Sequence, residues 1–379
     1  MSYKIWIGKR ESDILTYEFF DYSITFYGSN KKRNVAFSNE YRQKASYSDD
    51  FTTFAINNLN TIYKRHKDIE IHFYSGVFAH KIIAKCPSYK DYVVNTNSIF
   101  ILNNLRHKTL SRLWLNNSVP VPSFTLLSKD ECNVDYLKRK FDGFSSFVIQ
   151  KNYSGGGAGT YLINNLNESN VISRLLDHEL YLVSPFYSPS QSLSCHILID
   201  ASDCVVLPVS EQVIYSKKNS LEYIGNRFLS NESPISQLIK EKAFLIGNKL
   251  KHVGYRGICG FDFICYNSEI FLVEINPRYQ GSSYILNFAL KKHQLPSLFE
   301  LNTMCFKGEM PNHIISAINS LKVNCINNYI IYHDYNDLIK AKEIISNDNN
   351  VVFGDGYENA LRFEKGCYLL RYILSCDES

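Results

Sequence analysis

The stretch GYRGICGFDFICYNSEIFLVEINPR, residues Gly254–Arg278, holds two apolar segments separated by the short polar turn Asn267–Glu269. Apolar and β-branched residues on both sides of such a turn predict an antiparallel hairpin. The second segment ends with Glu274, Asn276 and Arg278 within five residues. An acid, an amide and a guanidinium crowded at one strand end indicate a functional site, although a solvated strand end would have the same composition.

Three oxygen-bearing side chains of this hairpin are predicted to share one face. With the turn near residues 266–269, Asp262 and Glu274 are close to cross-strand partners, and Glu274 and Asn276 have the same parity. Such oxygens suit a hard cation such as Mg²⁺, bound together with nucleotide phosphates. Solvated sheet ends are the alternative, which the apolar neighbours of Asp262 in GFDFI disfavour. Arg278 suits phosphate or carboxylate beside the metal, unless it is an ordinary surface arginine.

A second unusual stretch is KNYSGGGAGT, residues Lys151–Thr160, whose flanking apolar segments predict a hairpin with a glycine-rich tip. Glycine lets the backbone adopt positive φ and brings N–H groups close to an anion, and Lys151 adds a positive charge. The GK[ST] ending of a P-loop is absent, so a flexible surface hairpin and a phosphate-binding loop both fit. The glycines concerned are Gly155, Gly156, Gly157 and Gly159.

Length and composition limit the class of protein. A chain of 379 residues suffices for two or three domains, and 45% hydrophobic with 21% charged residues is ordinary for a globular protein. The net charge of +4 comes from scattered Lys and Arg, which disfavours a nucleic-acid partner. No signal sequence is evident, and no segment approaches the roughly 20 apolar residues of a membrane span. Ten cysteines without metal-ligand spacing favour a reducing, cytoplasmic location.

Short apolar strands alternate with polar stretches over residues 1–105, which predicts a parallel α/β domain. A helical spacing of apolar residues follows, and Pro120 and Pro122 end it and open a linker, so a domain boundary is expected near residue 105. The predicted strands are Tyr3–Ile7, Ser23–Gly28, Ile69–Tyr74 and Tyr92–Asn95, and the helical spacing comprises Leu105, Leu110, Leu113 and Trp114.

The pattern changes to strands, hairpins and one long helix over residues 106–304. The helix is predicted over Pro234–Val253, because Ser233 can cap it, proline suits its first turn and Gly254 can end it. Residues 305–379 predict a small α+β segment with no evident chemistry.

Taken together, these motifs resemble the ATP-grasp superfamily over roughly residues 90–290. The resemblance rests, in order, on Lys108 in HKTLSRLWLNNSVPVPSF, Lys151 with SGGGAG, the hinge YLVSPF, and GFDFI…EINPR. It implies an α/β N-terminal domain, then an α+β ATP-grasp domain whose two subdomains enclose ATP, then a small α+β C-terminal segment. The corresponding ranges are 1–105, 106–304 and 305–379.

The resemblance also implies roles for single residues. Asp262, Glu274 and Asn276 would hold Mg²⁺, with Mn²⁺ as an alternative ion, and Arg278 and Lys151 would serve catalysis. Arg278 would stabilise charge on the transferred phosphoryl group, and the glycine-rich loop would close over the phosphates. The ATP contacts would be Lys108, Lys151, Gly155, Gly156, Gly157, Gly159, Leu182 and Val183, with Gln191 in place of the family's ribose-contacting acid.

Members of the family mostly join a carboxylate to an amine through an acyl-phosphate. The resemblance therefore implies a ligase that forms an amide or peptide bond in small-molecule or natural-product biosynthesis, releasing ADP and phosphate. A kinase that phosphorylates a hydroxyl is the alternative, while a nucleotide-binding regulator is disfavoured by the full metal set. Expected partners are a small-molecule or short-peptide carboxylate and amine, and a second copy in a homodimer. Substrate contacts are expected from Arg256, Ser282 and Ser283.

Overall fold

The computed structural model describes residues 2–374 except 17, 39, 155–158, 218–219, 309, 324 and 348–349. Its N-terminal part is a parallel four-stranded sheet in the order β3-β2-β1-β5, flanked by two helices. Strands β1 and β5 are buried at their centres, as the apolar runs predicted. The elements are β1 Tyr3–Arg10, β2 Tyr22–Tyr27, β3 Asn34–Ala36, β4 Tyr41–Arg42, α1 Asp49–Arg65, β5 Ile69–Phe73 and α2 Gly76–Lys85.

Three of the four predicted N-terminal strands are confirmed, and the prediction for Tyr92–Asn95 is wrong. The chain forms a 3-10 turn over Pro87–Tyr92, after which Val93 makes a single parallel bridge to Ile71. Asn95 then turns away with a φ of 56°. The apolar pair of this segment is therefore too short to extend the sheet.

Two helices, α3 (Ile99–Arg106) and α4 (Lys108–Leu115), replace the single helical face predicted from the leucine spacing. The helical conformation is interrupted at His107. The side chain of His107 accepts a hydrogen bond from the backbone N–H of Leu110 and so caps the start of α4. Helix α4 has its polar side inward: Lys108 and Arg112 are each 2% exposed, whereas Leu113 is 59% exposed. Buried charges need partners, so this inversion indicates that α4 faces a polar site.

A four-stranded antiparallel sheet in the order β6-β9-β7-β8 follows α4. The predicted hairpin around the glycine run is confirmed as β7 and β8, which pair from Phe147↔Ile163 to Gln150↔Thr160. The elements are β6 Thr125–Leu127, α5 Val134–Lys140, β7 Phe147–Lys151, β8 Thr160–Ile163, α6 Glu168–Ile172 and β9 Tyr181–Pro185.

The large sheet of the molecule contains the predicted hairpin of residues 257–276. Its path is β15-β14-β10-β12-β13-β16-β19-β17, with β11 paired to β10. Helix α7 has the predicted Ser233 cap and first-turn proline, and it packs on β10 and β11. The elements are β10 Gln191–Ile199, β11 Cys204–Val206, β12 Ser210–Lys217, β13 Ser220–Phe228, α7 Pro234–His252, β14 Gly257–Tyr266 and β15 Glu269–Asn276.

The last part of the chain continues this sheet instead of forming a separate layer. Strand β16 pairs with β13, and β19 pairs with β16 and β17. Strand β18 pairs in parallel with β4 of the N-terminal part. The elements are α8 Ser283–Lys292, α9 Leu298–Lys307, α10 Asn312–Asn319, β16 Ile326–Ile331, α11 Tyr335–Ile345, β17 Asn350–Phe353, β18 Arg362–Phe363 and β19 Tyr368–Leu374.

One buried apolar cluster joins the N-terminal sheet to helices α8 and α9. Trp6 of β1 lies edge-on to Tyr279 and Phe299, with ring centroids 5.4 and 5.1 Å away. This packing fixes the carboxyl end of β1 against the end of β15. Among the described residues, no helix combines the length and the apolar character needed to cross a bilayer.

Candidate functional site

A cavity of about 440 Å³ lies where the three sheets meet. The N-terminal sheet contributes the residues at the carboxyl ends of β1 and β5, the small sheet contributes β7 and the end of β9, and the large sheet contributes β10 and β12–β15. Ligands of α/β sheets commonly bind at the carboxyl ends of the parallel strands. Representative lining residues are Arg10, Tyr74, Gln150, Ser184, Asp262 and Glu274.

The β14–β15 hairpin brings its three oxygen-bearing side chains together as predicted. Asp262 and Glu274 are direct cross-strand partners, and a bulge follows at Asp262/Phe263. The amide of Asn276 donates a 2.7 Å hydrogen bond to Oδ2 of Asp262. All three line the same cavity, because residues of matching parity on paired strands face one side of the sheet.

The carboxylate of Asp262 is surrounded by donors but remains electrostatically unfavourable. Its Oδ1 accepts hydrogen bonds from the amides of Gln212 at 2.9 Å and Gln280 at 3.1 Å. Burial and the nearby charge of Glu274 raise the pKa of Asp262 to about 7, against the opposing effect of Arg278 and the amide donors. Two carboxylates this close together repel each other when both are charged.

Lys108 lies against the other carboxylate. Its Nζ is 3.1 Å from Oε1 of Glu274 and also donates to the carbonyl and hydroxyl oxygens of Ser154, at 3.0 and 3.2 Å. Ser154 is the last described residue before the glycine run. One buried ammonium group at the start of α4 therefore links the predicted metal ligands to the predicted phosphate loop.

Arg278 follows Asn276 by two residues and lines the same cavity. Its Nη2 donates to the amide oxygen of Asn276 at 2.8 Å and its Nη1 donates to the carbonyl of Tyr279 at 2.9 Å. Burial opposes its charge, but Tyr74 and Glu274 raise the pKa of Arg278 above its usual value. Each terminal nitrogen of a guanidinium carries two hydrogens, so these two bonds leave donors for an anion in the cavity.

Lys151 ends β7 and makes an ion pair with Glu179, at 2.8 Å. The stem of Lys151 packs on Gly159, where a Cβ would be 2.9 Å from Cγ of the lysine and where φ is 70°. A side chain at position 159 would therefore meet both steric and backbone strain. The predicted phosphate contacts of Gly155, Gly156 and Gly157 lie outside the described residues.

The hinge residues Leu182 and Val183 are fully buried in the core of the small sheet. The cavity is lined instead by the next four residues along the chain, Ser184 to Tyr187. Arg112, which the sequence reasoning did not identify, donates to the hydroxyl of Ser184 at 3.0 Å and to Oε1 of Gln150 at 3.3 Å. It thereby connects α4 to the hinge and to β7.

The other predicted contacts divide into two groups. Gln191 does not line the cavity among the described residues, whereas its neighbours of opposite parity, Ser190, Ser192 and Ser194, do. Arg256 lies away from the cavity and donates to the carbonyls of Lys251 and Tyr255 at the end of α7. Ser282 lines the cavity, and the hydroxyl of Ser283 is 2.9 Å from Nε2 of the buried His196.

Several cavity residues carried no motif in the sequence. Gln212 lies on β12 and reaches Asp262 because β12, β10 and β14 are adjacent. Gln280 reaches Asp262 from the segment that follows β15, the partner strand of β14. Lys9 and Arg10 come from the first strand of the chain, about 270 residues from Arg278. Polar residues closing an apolar strand, as in GKRES after YKIWI, were the signal available for the second pair.

The donor set fits a divalent cation. Two carboxylates and one amide oxygen converge on one face, and hard cations such as Mg²⁺ and Mn²⁺ take oxygen ligands of this kind. A bound cation would offset the repulsion that raises the pKa of Asp262. Asp262, Glu274 and Asn276 are the residues that would hold it.

Comparison with known proteins agrees with this geometry. The model of the ATP-grasp domain family matches residues 105–282. The chain carries an ATP-grasp domain. A curated relative, the [butirosin acyl-carrier protein]–L-glutamate ligase of Niallia circulans, is 25% identical over 173 residues, which are 44% of this chain and 41% of that protein. The chain thus spans about two fifths of the length of this relative.

Solved ATP-grasp structures share the fold over nearly the whole chain. N5-carboxyaminoimidazole synthetase from Staphylococcus aureus, complexed with ADP, has a TM-score of 0.66 at 13% identity, over 99% of this chain and 93% of that chain. The biotin carboxylase domain of the Hydrogenobacter thermophilus 2-oxoglutarate carboxylase, with MgADP and bicarbonate, has a TM-score of 0.65 at 13% identity, over 99% and 86%. The predicted family and fold class are confirmed.

Proposed function

We propose that this protein is an ATP-dependent ligase that joins a carboxylate to an amine through an acyl-phosphate. The observation that carries the proposal is the arrangement of Asp262, Glu274, Asn276 and Arg278 on one cavity wall, with Lys108 3.1 Å from Glu274. The N-terminal sheet also lines this cavity, at the carboxyl ends of β1 and β5. One cavity thus offers a nucleotide-phosphate side and a separate side for a second substrate.

The proposed reaction has two steps. An oxygen of the substrate carboxylate attacks the γ-phosphorus of ATP in line, the bond to the β-phosphate oxygen breaks, and ADP leaves. The amine then attacks the acyl carbon, and the phosphate leaves after the nitrogen loses a proton. The amide product equals the sum of acid and amine less one water.

The protein's own groups have distinct roles in these steps. A cation held by Asp262, Glu274 and Asn276 would neutralise phosphate charge. Arg278, which stays charged and retains donors toward the cavity, would stabilise the equatorial oxygens of the phosphoryl group and the oxyanion of the second step. Lys108 would hold the phosphates from the start of α4, and the hinge backbone from Ser184 to Tyr187 would contact adenine.

The acid and its acceptor are proposed from the curated relative. The name of that protein combines L-glutamate with an acyl-carrier protein, so amino acids with a side-chain carboxylate are the first acids to test. The acceptor is proposed to be an amine of a small molecule or short peptide, in a natural-product setting. Mg²⁺ is the proposed ion, a homodimer the proposed assembly, and the cytoplasm remains the predicted location.

The experiment that tests the proposal is ADP and phosphate release with Mg-ATP against pools of amino acids, small carboxylates and amines, with mass detection of products. Release that requires two substrates, together with a product lighter than their sum by one water, is expected. Release with one substrate and a product heavier by a phosphoryl group would instead identify a kinase and contradict the ligase.

A further inference from the structure

The cavity wall formed by the N-terminal sheet carries positive charges that the proposed nucleotide chemistry does not use. Lys9 and Arg10 close β1, and Lys44 follows β4; all three line the cavity. The same wall continues to Tyr74 after β5 and meets Arg278 from the other side. The charge of Arg278 acts on Lys9, so this wall adjoins the arginine that is proposed to stabilise the transferred phosphoryl group.

The charges of the cavity do not cancel within it. Among the described residues, its lining contains five cationic residues and three acids. Two of the acids, Asp262 and Glu274, are the proposed metal ligands. The third, Glu222, makes a 2.8 Å contact with His333. On the N-terminal side, Asp13 contacts Arg371 at 2.9 Å, and Glu364 accepts a 2.8 Å hydrogen bond from the backbone N–H of Lys44. The positive potential of Lys9, Arg10 and Lys44 is therefore available to a ligand.

Lys9 is the clearest example of a positive charge in the cavity that no acid neutralises by direct contact among the described residues. Within the described part of the chain its ammonium group has no ion pair or hydrogen bond, and it lies 6.0 Å from the ring centroid of Tyr47. Burial and the charges of Arg278 and Arg10 lower the pKa of Lys9 to about 7, which Asp13 only partly opposes. An ammonium group that lies among like charges inside a cavity, with no acid in hydrogen-bond contact among the described residues, is stabilised by an incoming anion.

Arg10 is held in position for the same ligand. Its guanidinium stacks on Tyr368 and Tyr329, with centroid distances of 4.5 and 5.3 Å. The stacking fixes the plane of the group, while Nε is buried without a hydrogen-bond partner among the described residues. A planar guanidinium fixed by aromatic rings suits a carboxylate or phosphate.

We propose that Lys9, Arg10 and Lys44 form a subsite for a second anionic group of the acid substrate, so that the substrate carries at least two negative charges. One carboxylate is activated beside Arg278, and the other anionic group, a carboxylate or a phosphate, is bound at the carboxyl end of β1. This inference rests on the proposed function for the first carboxylate only. Anion binding at the subsite itself needs no turnover.

The test compares matched probes by isothermal titration calorimetry, with and without saturating Mg-ADP. Glutarate, a dicarboxylate, is expected to bind at least tenfold more tightly than butyrate, which has the same apolar chain length but one charge. Lys9→Gln is expected to lower the affinity for glutarate at least tenfold while leaving that for Mg-ADP within twofold. Lys32→Gln, at an exposed position just before β3, is the control and should change neither.

Proton uptake gives a second readout that a purely structural role of Lys9 would not produce. An anion beside Lys9 raises the pKa of its ammonium group again, so binding near pH 7 should take up a proton. The neighbouring groups Arg10, Arg278 and Tyr47 have pKa values raised above their ordinary ranges, so they keep one protonation state near pH 7, and Asp13 is the acid on this side that acts on Lys9. The binding enthalpy of glutarate should therefore depend on the ionisation enthalpy of the buffer in the wild type and lose that dependence in Lys9→Gln.

The possible results distinguish failure of the anion subsite from failure of the proposed ligase reaction. Tighter binding of inorganic phosphate than of glutarate, with the same loss in Lys9→Gln, would identify the second group as a phosphate and support the subsite. Equal affinity for glutarate and butyrate under both conditions, or an unchanged affinity in a folded Lys9→Gln variant, would overturn it. Failure of every acid and amine pool to give turnover, with glutarate still bound through Lys9, would count against the proposed ligase alone.

Discussion

At the scale of single residues, the carboxyl group of Asp262 is the point where stability and proposed function conflict. Its pKa of about 7 lies above the ordinary value of an aspartic acid because burial and Glu274 disfavour the charged form. A group whose pKa is raised in the folded state favours folding while it is protonated, and this contribution is lost as the pH rises from about 4 through 7. Above pH 7 the ligand-free protein therefore contains an unfavourable charge.

Asp262→Asn should consequently stabilise the ligand-free protein while removing ATP turnover. The free energy of unfolding is expected to rise by about 1–2 kcal/mol at pH 8, and by less at pH 5 because the wild-type carboxyl is then mostly neutral. Urea denaturation at the two pH values measures both quantities. A lower stability of the variant at pH 8 than at pH 5, relative to the wild type, would contradict the electrostatic origin of the effect.

Glu274→Gln should abolish ATP turnover and leave the fold intact, because the side chain keeps its shape but loses the charge that would bind a cation. The variant also removes the ionic partner of Lys108, 3.1 Å away. Turnover and circular dichroism, measured with the exposed Glu269→Gln on the same strand as the control, test this. ATP turnover at the wild-type rate in Glu274→Gln would make the metal assignment wrong.

At the scale of secondary-structure elements, the sequence of a segment was enough to predict its structure where that segment contained both its apolar pattern and its turn or cap residues. The β14–β15 hairpin was predictable because two apolar runs flank a short turn, in which Asn267 and Ser268 have positive φ values. Helix α7 was predictable from its cap and first-turn proline. Both elements depend on interactions within their own segment.

The prediction failed where a distant partner decides the structure. The leucines near residue 110 predicted one helical face, but the site requires Lys108 and Arg112 inward, so the apolar side of α4 is exposed. Gln191 was assigned to ATP, but the register of β10 against β14 turns its neighbours Ser190 and Ser192 toward the cavity. The sequence of one helix or strand does not specify which of its two faces will contact a neighbouring sheet.

Arg112 should prove essential for holding α4, the hinge and β15 together. It donates to Ser184, to Gln150 and, at 3.3 Å, to the carbonyl of Val273. Arg112→Met leaves these buried acceptors without donors and is expected to cost about 3 kcal/mol of unfolding free energy. It should also weaken ATP binding, because Ser184 begins the hinge segment of the cavity.

Thermal or urea unfolding, together with ATP titration, measures these two effects of Arg112→Met. Arg139→Met, at an exposed position on α5, is the matched control and should lose less than about 0.5 kcal/mol. A wild-type affinity for ATP in the folded Arg112→Met variant would show that the hinge is positioned by other contacts.

At the scale of the whole molecule, the two ends of the chain are locked to each other by a buried arginine. Arg42, the fully buried last residue of β4, donates to the carbonyl oxygens of Gly354, Asp355, Tyr368 and Leu369 at 2.7–3.0 Å. Nearby, the backbone N–H and hydroxyl of Ser12 both donate to Asp355 at 2.7 Å. These contacts, across more than 300 residues, could not be predicted from either segment alone.

Arg42→Met should therefore destabilise the whole protein and not only its C-terminal part. Four buried carbonyl oxygens would lose their donor, at an expected cost of about 3 kcal/mol or more. Urea denaturation, followed by fluorescence and by circular dichroism, should show one transition moved to lower denaturant concentration. The exposed Arg33→Met is the control, and two separate transitions in Arg42→Met would show that the ends unfold independently.

The central claim is that a substrate carboxylate receives the γ-phosphoryl group of ATP in the cavity bounded by Asp262, Glu274 and Arg278. The most direct measurement uses the acid identified in the turnover screen, labelled with ¹⁸O in its carboxylate, followed by mass analysis of the released phosphate. An acyl-phosphate requires one labelled oxygen to pass from the acid to the phosphate, and the account predicts this transfer in each turnover. Phosphate released without the label, while the acid is incorporated into product, would contradict it.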